Sequence, residues 1–399
     1  MLAHNQDSST CGSYMKGLRF WAIYCVVAVS LLGTEVQWKT KVDFGGSLFP
    51  SYAIATATLD KERVFGKPTA TYLGDTGGMF GIELVAPQDN AKFILEISSP
   101  IFVRKTVMQG VLQKKDSTYR IYPELDYDYE ALYSVKEPQP EALTFRLEIN
   151  GEDAGFRRVT VQVRSINDCL YAWSPSPDRP PQIYQWMFAA YVNENDPLVD
   201  KILQRALQLE LVKSFIGYQG TERDVYEQVF AVWNVLQREG IKYSNITTTS
   251  SESAVAHSQH VRLIDESISN TQANCVDGSV LFASVFRKIG LETFLFVIPG
   301  HCFVGVFLDQ KMTKPLAIET TRIGTDDLNK QGIERGLNSI MSGRKNNLSW
   351  TSFEGAHNAG AQEFNHSIQQ LKLGQFGYYL IPIRQTREVG IQPLRSRKR

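Results

Sequence analysis

The stretch from Asn274 to Thr321 restricts the possible folds of this chain more than any other. Val276, Val280, Leu281, Val285 and Ile289 recur at helical spacing after Asn274, and the run closes at Gly290. Three short, nearly continuous apolar runs follow: Thr293–Ile298, His301–Leu308 and Leu316–Thr321. Pro299-Gly300 and a polar loop separate them. A core-facing helix followed by three buried strands predicts an α+β unit in which the helix packs on a small sheet. Asn274 suits an N-cap and Asp277 stands in the capping-box position, so the helix is predicted to begin at Cys275.

That placement has chemical meaning. A thiol in the first turn of a buried helix lies at the positive end of the helix dipole, which favours the thiolate. The same unpaired amides can donate to an oxyanion forming on a substrate carbonyl. A free cysteine is also, commonly, only a small buried hydrophobe. His301 opens the second strand, where alternation puts His301, Phe303, Gly305 and Phe307 on one face. Cys302, Val304, Val306 and Leu308 then take the other face, so Cys302 is read as a core residue. Glu319 follows His301 by 18 residues, a span compatible with a hairpin whose register the sequence alone leaves open. A carboxylate in so apolar a strand needs a partner, and His301 is the nearest in kind. Thiol, imidazole and carboxylate can then serve as nucleophile, base and orienting acid.

The helix-start cysteine, the histidine of GHCFVGV and the acid of AIETT together resemble the transglutaminase-like superfamily, a branch of the papain-type cysteine enzymes. The upstream VYEQVFAVWNVLQREG leading into IKYS is similar to the family's helix before the catalytic cysteine. The resemblance covers about residues 221–321 well and 183–383 loosely. It implies a catalytic triad of Cys275 as nucleophile, His301 as general base and Glu319 as orienting acid. The sequence departs from the family in three places. The usual third residue is aspartate, one methylene shorter than Glu319. Asn274 precedes the cysteine with no certain role beyond capping. The aromatic oxyanion donor of some relatives has only candidates here, Trp233 and Tyr243, which as residues fit a core equally well. Arg262, Asp265 and Glu266 crowd the approach to the helix and read as a solvated loop, a salt-bridged cleft wall or substrate contacts.

The remainder of the chain frames this unit. Residues 39–168 carry about seven short alternating runs, among them Tyr52–Leu59, Pro100–Leu112 and Arg157–Ile166, which predicts an all-β sandwich domain. Four prolines in Ser174–Pro181 mark residues 169–182 as a linker, and 183–385 as the transglutaminase-like domain. Asp196-Pro197 and Thr221-Glu222-Arg223-Asp224 each predict a helix start, and Ser244–Ser258 reads as a loop. Residues 386–399 read as a solvated basic tail. His257, His260, His357 and His366 read as exposed polar residues, with no metal site expected.

Residues 1–38 form a predicted signal peptide or membrane anchor. Lys16 and Arg19 precede 14 largely apolar residues, Phe20–Gly33, too short for an ordinary span but normal for a secretory signal. Met15-Lys16 suits the start of such a signal. Membrane association, if any, would run through residues 20–33, and the protein is expected to be exported (periplasmic or extracellular) or anchored with its catalytic domain outside the cytoplasm. Cysteine count agrees with a chemical role for a thiol: Cys169, Cys275 and Cys302 lie beyond the leader, an odd number without a CxxC pair. With 42 basic and 42 acidic residues, no broad field points to nucleic acid.

The sequence therefore predicts a cysteine protease or amidase, a hydrolase acting on a peptide or isopeptide amide through a thioester, with a protein or peptide as substrate and no cofactor. Hydrolysis is favoured over transamidation because nothing marks an amine-acceptor or calcium site. The rival reading is an inactive peptide-binding or scaffold module of the same fold; a redox-sensing role for Cys275 is a third.

Overall fold

Alternation organises the first part of the chain. In the strand Glu152–Val163, Val161 and Val163 are buried while Arg158, Thr160 and Gln162 face water. This strand lies in a five-stranded sheet ordered Ser47–Leu48, Glu152–Val163, Gln139–Ile149, Ala91–Ser98, Thr106–Leu112. A four-stranded sheet runs Trp38–Val42, Phe80–Val85, Thr118–Tyr122, Tyr72–Gly74. Leu95 and Phe145 of the first and Ile82 and Ile121 of the second belong to one buried apolar cluster. The computed structural model describes residues 36–176, 178–245, 253–324 and 347–396. The predicted leader lies almost wholly outside them, and among the described residues no helix is long and apolar enough to cross a membrane.

Several local expectations change. Where Tyr52–Leu59 was expected as a strand, Pro50–Ala55 is a helix with Pro50 in its first turn and all its residues buried. A short apolar run buried on every side has no period to tell helix from strand. The strand expected over Pro100–Leu112 begins only at Thr106. Within the expected loop Ser244–Ser258, Ala256 already belongs to a strand, Ala256–His260, that pairs with Asp168–Trp173. Three residues apart on a strand, His257 and His260 point to opposite faces.

The proline-rich segment joins paired strands, with Trp173 facing Gln182 and Ala172 facing Ile183. Residues 36–399 form one compact unit, so the elements on either side of the expected linker share one core. Nor is the C-terminal segment a solvated tail through residue 396. Leu394 is buried and its amide donates to the Ala190 carbonyl, and Arg395 pairs with Glu130 at 3.0 Å.

The helical signals hold. Asp196 accepts from the Leu198 amide at 2.9 Å and opens Pro197–Gln208. Thr221 and Asp224 form a capping box at the head of Glu222–Arg238, and Gly240 ends the run at φ 82°. The second half is built on an antiparallel sheet ordered Pro315–Ile318, His301–Phe307, Thr293–Ile298, Tyr379–Pro382. One face, carrying Leu295, Val297, Cys302 and Val304, joins the main core with the helix Cys275–Lys288. The other face, with Phe294, Phe296, Phe303 and Ala317, packs under Phe364, Ile368 and Leu371 of the helix Leu348–Lys372. That helix crosses close over the strand: a Cβ on Gly360 would stand 2.8 Å from the Ala317 backbone. It also takes in His357 and His366. His366 is exposed, while His357 Nδ1 bonds the Ala317 carbonyl at 3.2 Å and is half-buried.

Candidate active site

The helix Cys275–Lys288 begins where its capping residues require. Asn274 Oδ1 accepts from the amides of Val276 and Asp277, both at 2.9 Å, and Asp277 Oδ2 accepts from the Asn274 amide at 3.0 Å. Asn274 is buried, and its carbonyl oxygen is committed to the cap, so that atom holds the helix start instead of facing a ligand. Cys275 is half-buried and carries a free thiol. Cys302 is buried on the core side of its strand, and burial pushes its thiol far above the ordinary range.

The strand Pro315–Ile318 ends one residue before Glu319, which caps the turn Thr320–Arg322. Val304 pairs with Ile318, so the end of that strand lies beside the strand that His301 opens. His301 Nε2 and Glu319 Oε2 stand 2.6 Å apart. Glu319 Oε1 accepts from the Thr321 hydroxyl at 2.7 Å and the Thr321 amide at 3.0 Å. With Nε2 taken by Glu319, Nδ1 is the ring nitrogen left for Cys275.

Electrostatics binds the three together. Hydrogen bonding to the Cys275 side chain, then to Glu319, raises His301 from 6.5 to about 10 against the opposing effect of burial. Burial alone would raise the Glu319 carboxyl, but the bonds from His301 and Thr321 hold it below its ordinary value. At neutral pH the site thus carries a protonated imidazole between a thiol-bearing helix end and a carboxylate.

Behind the helix start lies a second charged pair. Arg262 Nη1 meets Asp277 Oδ2 at 2.7 Å, and the Arg262 amide donates to Oδ1 at 2.8 Å. Asp277 has no solvent exposure, so this cation balances a buried carboxylate two residues from the thiol. Glu266 binds Lys136 at 2.7 Å and Asn167 at 2.5 Å, and Asp265 accepts from Ser396. The three charges flagged as substrate contacts thus have partners inside the chain.

The two aromatic candidates separate clearly. Trp233 is fully buried, stacks on Phe282 at 5.5 Å and donates to Gln237 at 3.0 Å, so it is a core residue and not an oxyanion donor. Tyr243 is exposed and sits beside the site, its backbone paired with Ala273 just before Asn274. Burial, then the charges of Cys275 and Glu319, push its phenol above the ordinary value.

Two contributors escaped the sequence reading. Thr321 orients the carboxylate, and its place just after the acid in AIETT is the signal that could have found it. Ser279, fully buried, donates to the Cys275 carbonyl at 2.6 Å and shares the proton with the Cys302 carbonyl at 3.3 Å; its oxygen is 3.5 Å from Thr320 Oγ1. Nothing in sequence reveals a contact among three elements so far apart in the chain. Among the described residues no cluster of three His, Cys, Asp or Glu side chains could hold a metal ion. No protein-family model matches the chain, and no curated protein matches it.

Proposed function

We propose that the chain is a cysteine-nucleophile enzyme that cleaves an amide bond of a protein or peptide, in the manner of the transglutaminase-like enzymes it resembles. The observation that carries this reading is His301, bonded through Nε2 to Glu319 at 2.6 Å, with Cys275 and Glu319 both favouring its protonated form. A half-buried thiol at a capped helix start beside such an imidazole suits nucleophilic attack. The Cys275 sulfur adds to the carbonyl carbon and the carbonyl oxygen takes up the negative charge; the amides of Val276 and Asp277 are already given to Asn274 Oδ1. As the tetrahedral adduct collapses, the carbon–nitrogen bond breaks and His301 gives its proton to the leaving amine. A thioester on Cys275 remains. Water then attacks it, His301 takes the water proton, and the acid product leaves as the thiolate is restored. Glu319 keeps the ring in register throughout and offsets its charge. Water is the proposed acceptor; an amine in its place would give transamidation. The proposal includes export or anchoring through residues 20–33, which N-terminal sequencing of the native protein tests.

The direct test is competitive alkylation with iodoacetamide followed by peptide mapping. Cys275 is expected to label fastest, with labelling reduced in His301→Ala. Equal labelling of Cys169, Cys275 and Cys302 would overturn the proposal. Wild type and Cys275→Ala incubated with a complex peptide mixture should differ in cleaved products; identical profiles would favour the inactive module.

A further inference from the structure

A cleft of about 900 Å³ lies in the β-rich part of the chain and shares no lining residue with the Cys275 site. Its walls are aromatic. Tyr72 stacks on Tyr122 with ring centres 5.2 Å apart and planes 8° from parallel, and Trp173 meets the buried Phe44 edge-on at 5.3 Å. Tyr72, Trp173 and Phe65 are half-buried, so each presents ring surface to the cleft. Thr71, Thr76 and Thr118 add hydroxyls along the same lining.

The charge of the lining is mostly positive. Lys41, Lys67, Arg120 and Arg179 line the cleft from four separate segments, with Asp43 the one carboxylate among the lining residues; Arg120 is also held by Glu83 at 3.1 Å, and Lys67 stands 4.0 Å from Glu62. The whole chain balances 42 bases with 42 acids, so this excess belongs to the place. Asp43 accepts from the Tyr122 hydroxyl at 2.7 Å, and burial raises its carboxyl against the lowering effect of that bond. The backbone there is also unusual. Phe44, Gly45 and Gly46 hold φ of 52°, 67° and 79°, and a buried phenylalanine in that region is strained. Such strain collects at ligand sites.

Two other ligand classes fit less well. A phosphate group seeks convergent free amides, but the Gly77 amide is given to Asp75 Oδ1 at 2.9 Å and the Gly78 amide to the Asp75 carbonyl at 3.1 Å. A peptide would add to the edge strand Tyr72–Gly74. There the Tyr72 amide is taken by Thr69 Oγ1 at 3.0 Å and the Tyr72 carbonyl by the Thr69 amide at 2.9 Å, so the edge is closed. Recognition is left to rings, hydroxyls and dispersed cations. Flat aromatic faces match the C–H faces of sugar rings, and cations from four segments match carboxylates spaced along a chain.

We propose that this cleft binds an acidic saccharide, its sugar rings against the Tyr72 and Trp173 walls and its carboxylates on Lys41, Lys67, Arg120 and Arg179. The site stands independently of the chemistry at Cys275.

Calorimetric titration of the full chain tests it, with four probes: a galacturonic acid tetramer, its neutral methyl ester, a glutamate tetrapeptide and inorganic phosphate. The acidic tetramer should bind, and added salt should weaken it. Lys67→Glu combined with Arg179→Glu should weaken binding by about tenfold or more, with the alkylation rate of Cys275 unchanged. Both side chains are exposed, so folding should survive, whereas Tyr72→Ala is a second variant whose folding needs checking by circular dichroism. Equal binding of the neutral ester, tighter binding of the tetrapeptide or of phosphate, or no binding of the acidic tetramer would each overturn the assignment.

Discussion

Two buried carboxylates flank the start of the same helix and behave in opposite ways. Glu319 pairs with His301, a cation that can lose its proton. Asp277 lies behind and pairs with Arg262, a cation that cannot. The first pair is suited to moving a proton, the second to fixing a backbone. Arg262 offsets the buried charge of Asp277 while that carboxylate caps the helix. Changing the rear pair should therefore cost stability, and changing the front pair should cost reactivity.

The largest effect is expected at the rear. Arg262→Met leaves an unexposed carboxylate without its cation, and urea denaturation should show a loss of about 3–5 kcal/mol. Glu319→Gln, probed in the same way near pH 10, where the charge of His301 is being lost, should lose far less, since a hydrogen bond from His301 can persist. Comparable losses would erase the distinction between the pairs.

The next effect belongs to the front. His301→Ala should slow alkylation of Cys275 by about a hundredfold, the lower range for loss of a positioned base. Arg262→Met, measured where it is fully folded, should slow it less.

A third outcome is read along the pH axis. His301 is raised from 6.5 to about 10, so the stability it contributes is full below 6.5 and lost as pH climbs to about 10. Glu319 is lowered from 4.5, so its share is full above 4.5 and lost as pH falls through its depressed value. The difference in unfolding free energy between wild type and His301→Ala should peak between about 4.5 and 6.5 and decline as pH rises through about 10. No such alkaline decline should appear for Arg262→Met. The smallest change is Thr321→Val, which removes one hydroxyl bond to Glu319; about 1 kcal/mol of stability and a few-fold in alkylation rate are expected.

Much of this site was legible because its parts are local. Asn274, Cys275 and Asp277 announce a helix start through capping chemistry confined to four residues. Alternation alone assigned Cys302 to the core face. What could not be read is whatever depends on a distant partner. Arg262 and Glu266 looked alike as charges before a helix, yet one reaches Asp277 and the other Lys136 and Asn167. Trp233 and Tyr243 were equal candidates until packing put one against Phe282 and the other beside Cys275. The β-rich part misled at Pro50–Ala55, where complete burial hides the period. The proline-rich segment misled because its prolines stiffen a connection between paired strands as readily as a spacer between domains.

Ser279 has a consequence beyond its bonds. Its hydroxyl lies within 3.5 Å of oxygens on the helix that carries Cys275, the strand that carries His301 and the turn that follows Glu319. One small side chain thus acts as a common reference point for three segments, and a shift in any of them is felt by the other two. Alignment should then be lost all at once. As denaturant is raised, preferential alkylation of Cys275 should disappear in a single step that coincides with global unfolding, with no intermediate in which the thiol stays reactive while the sheet has come apart.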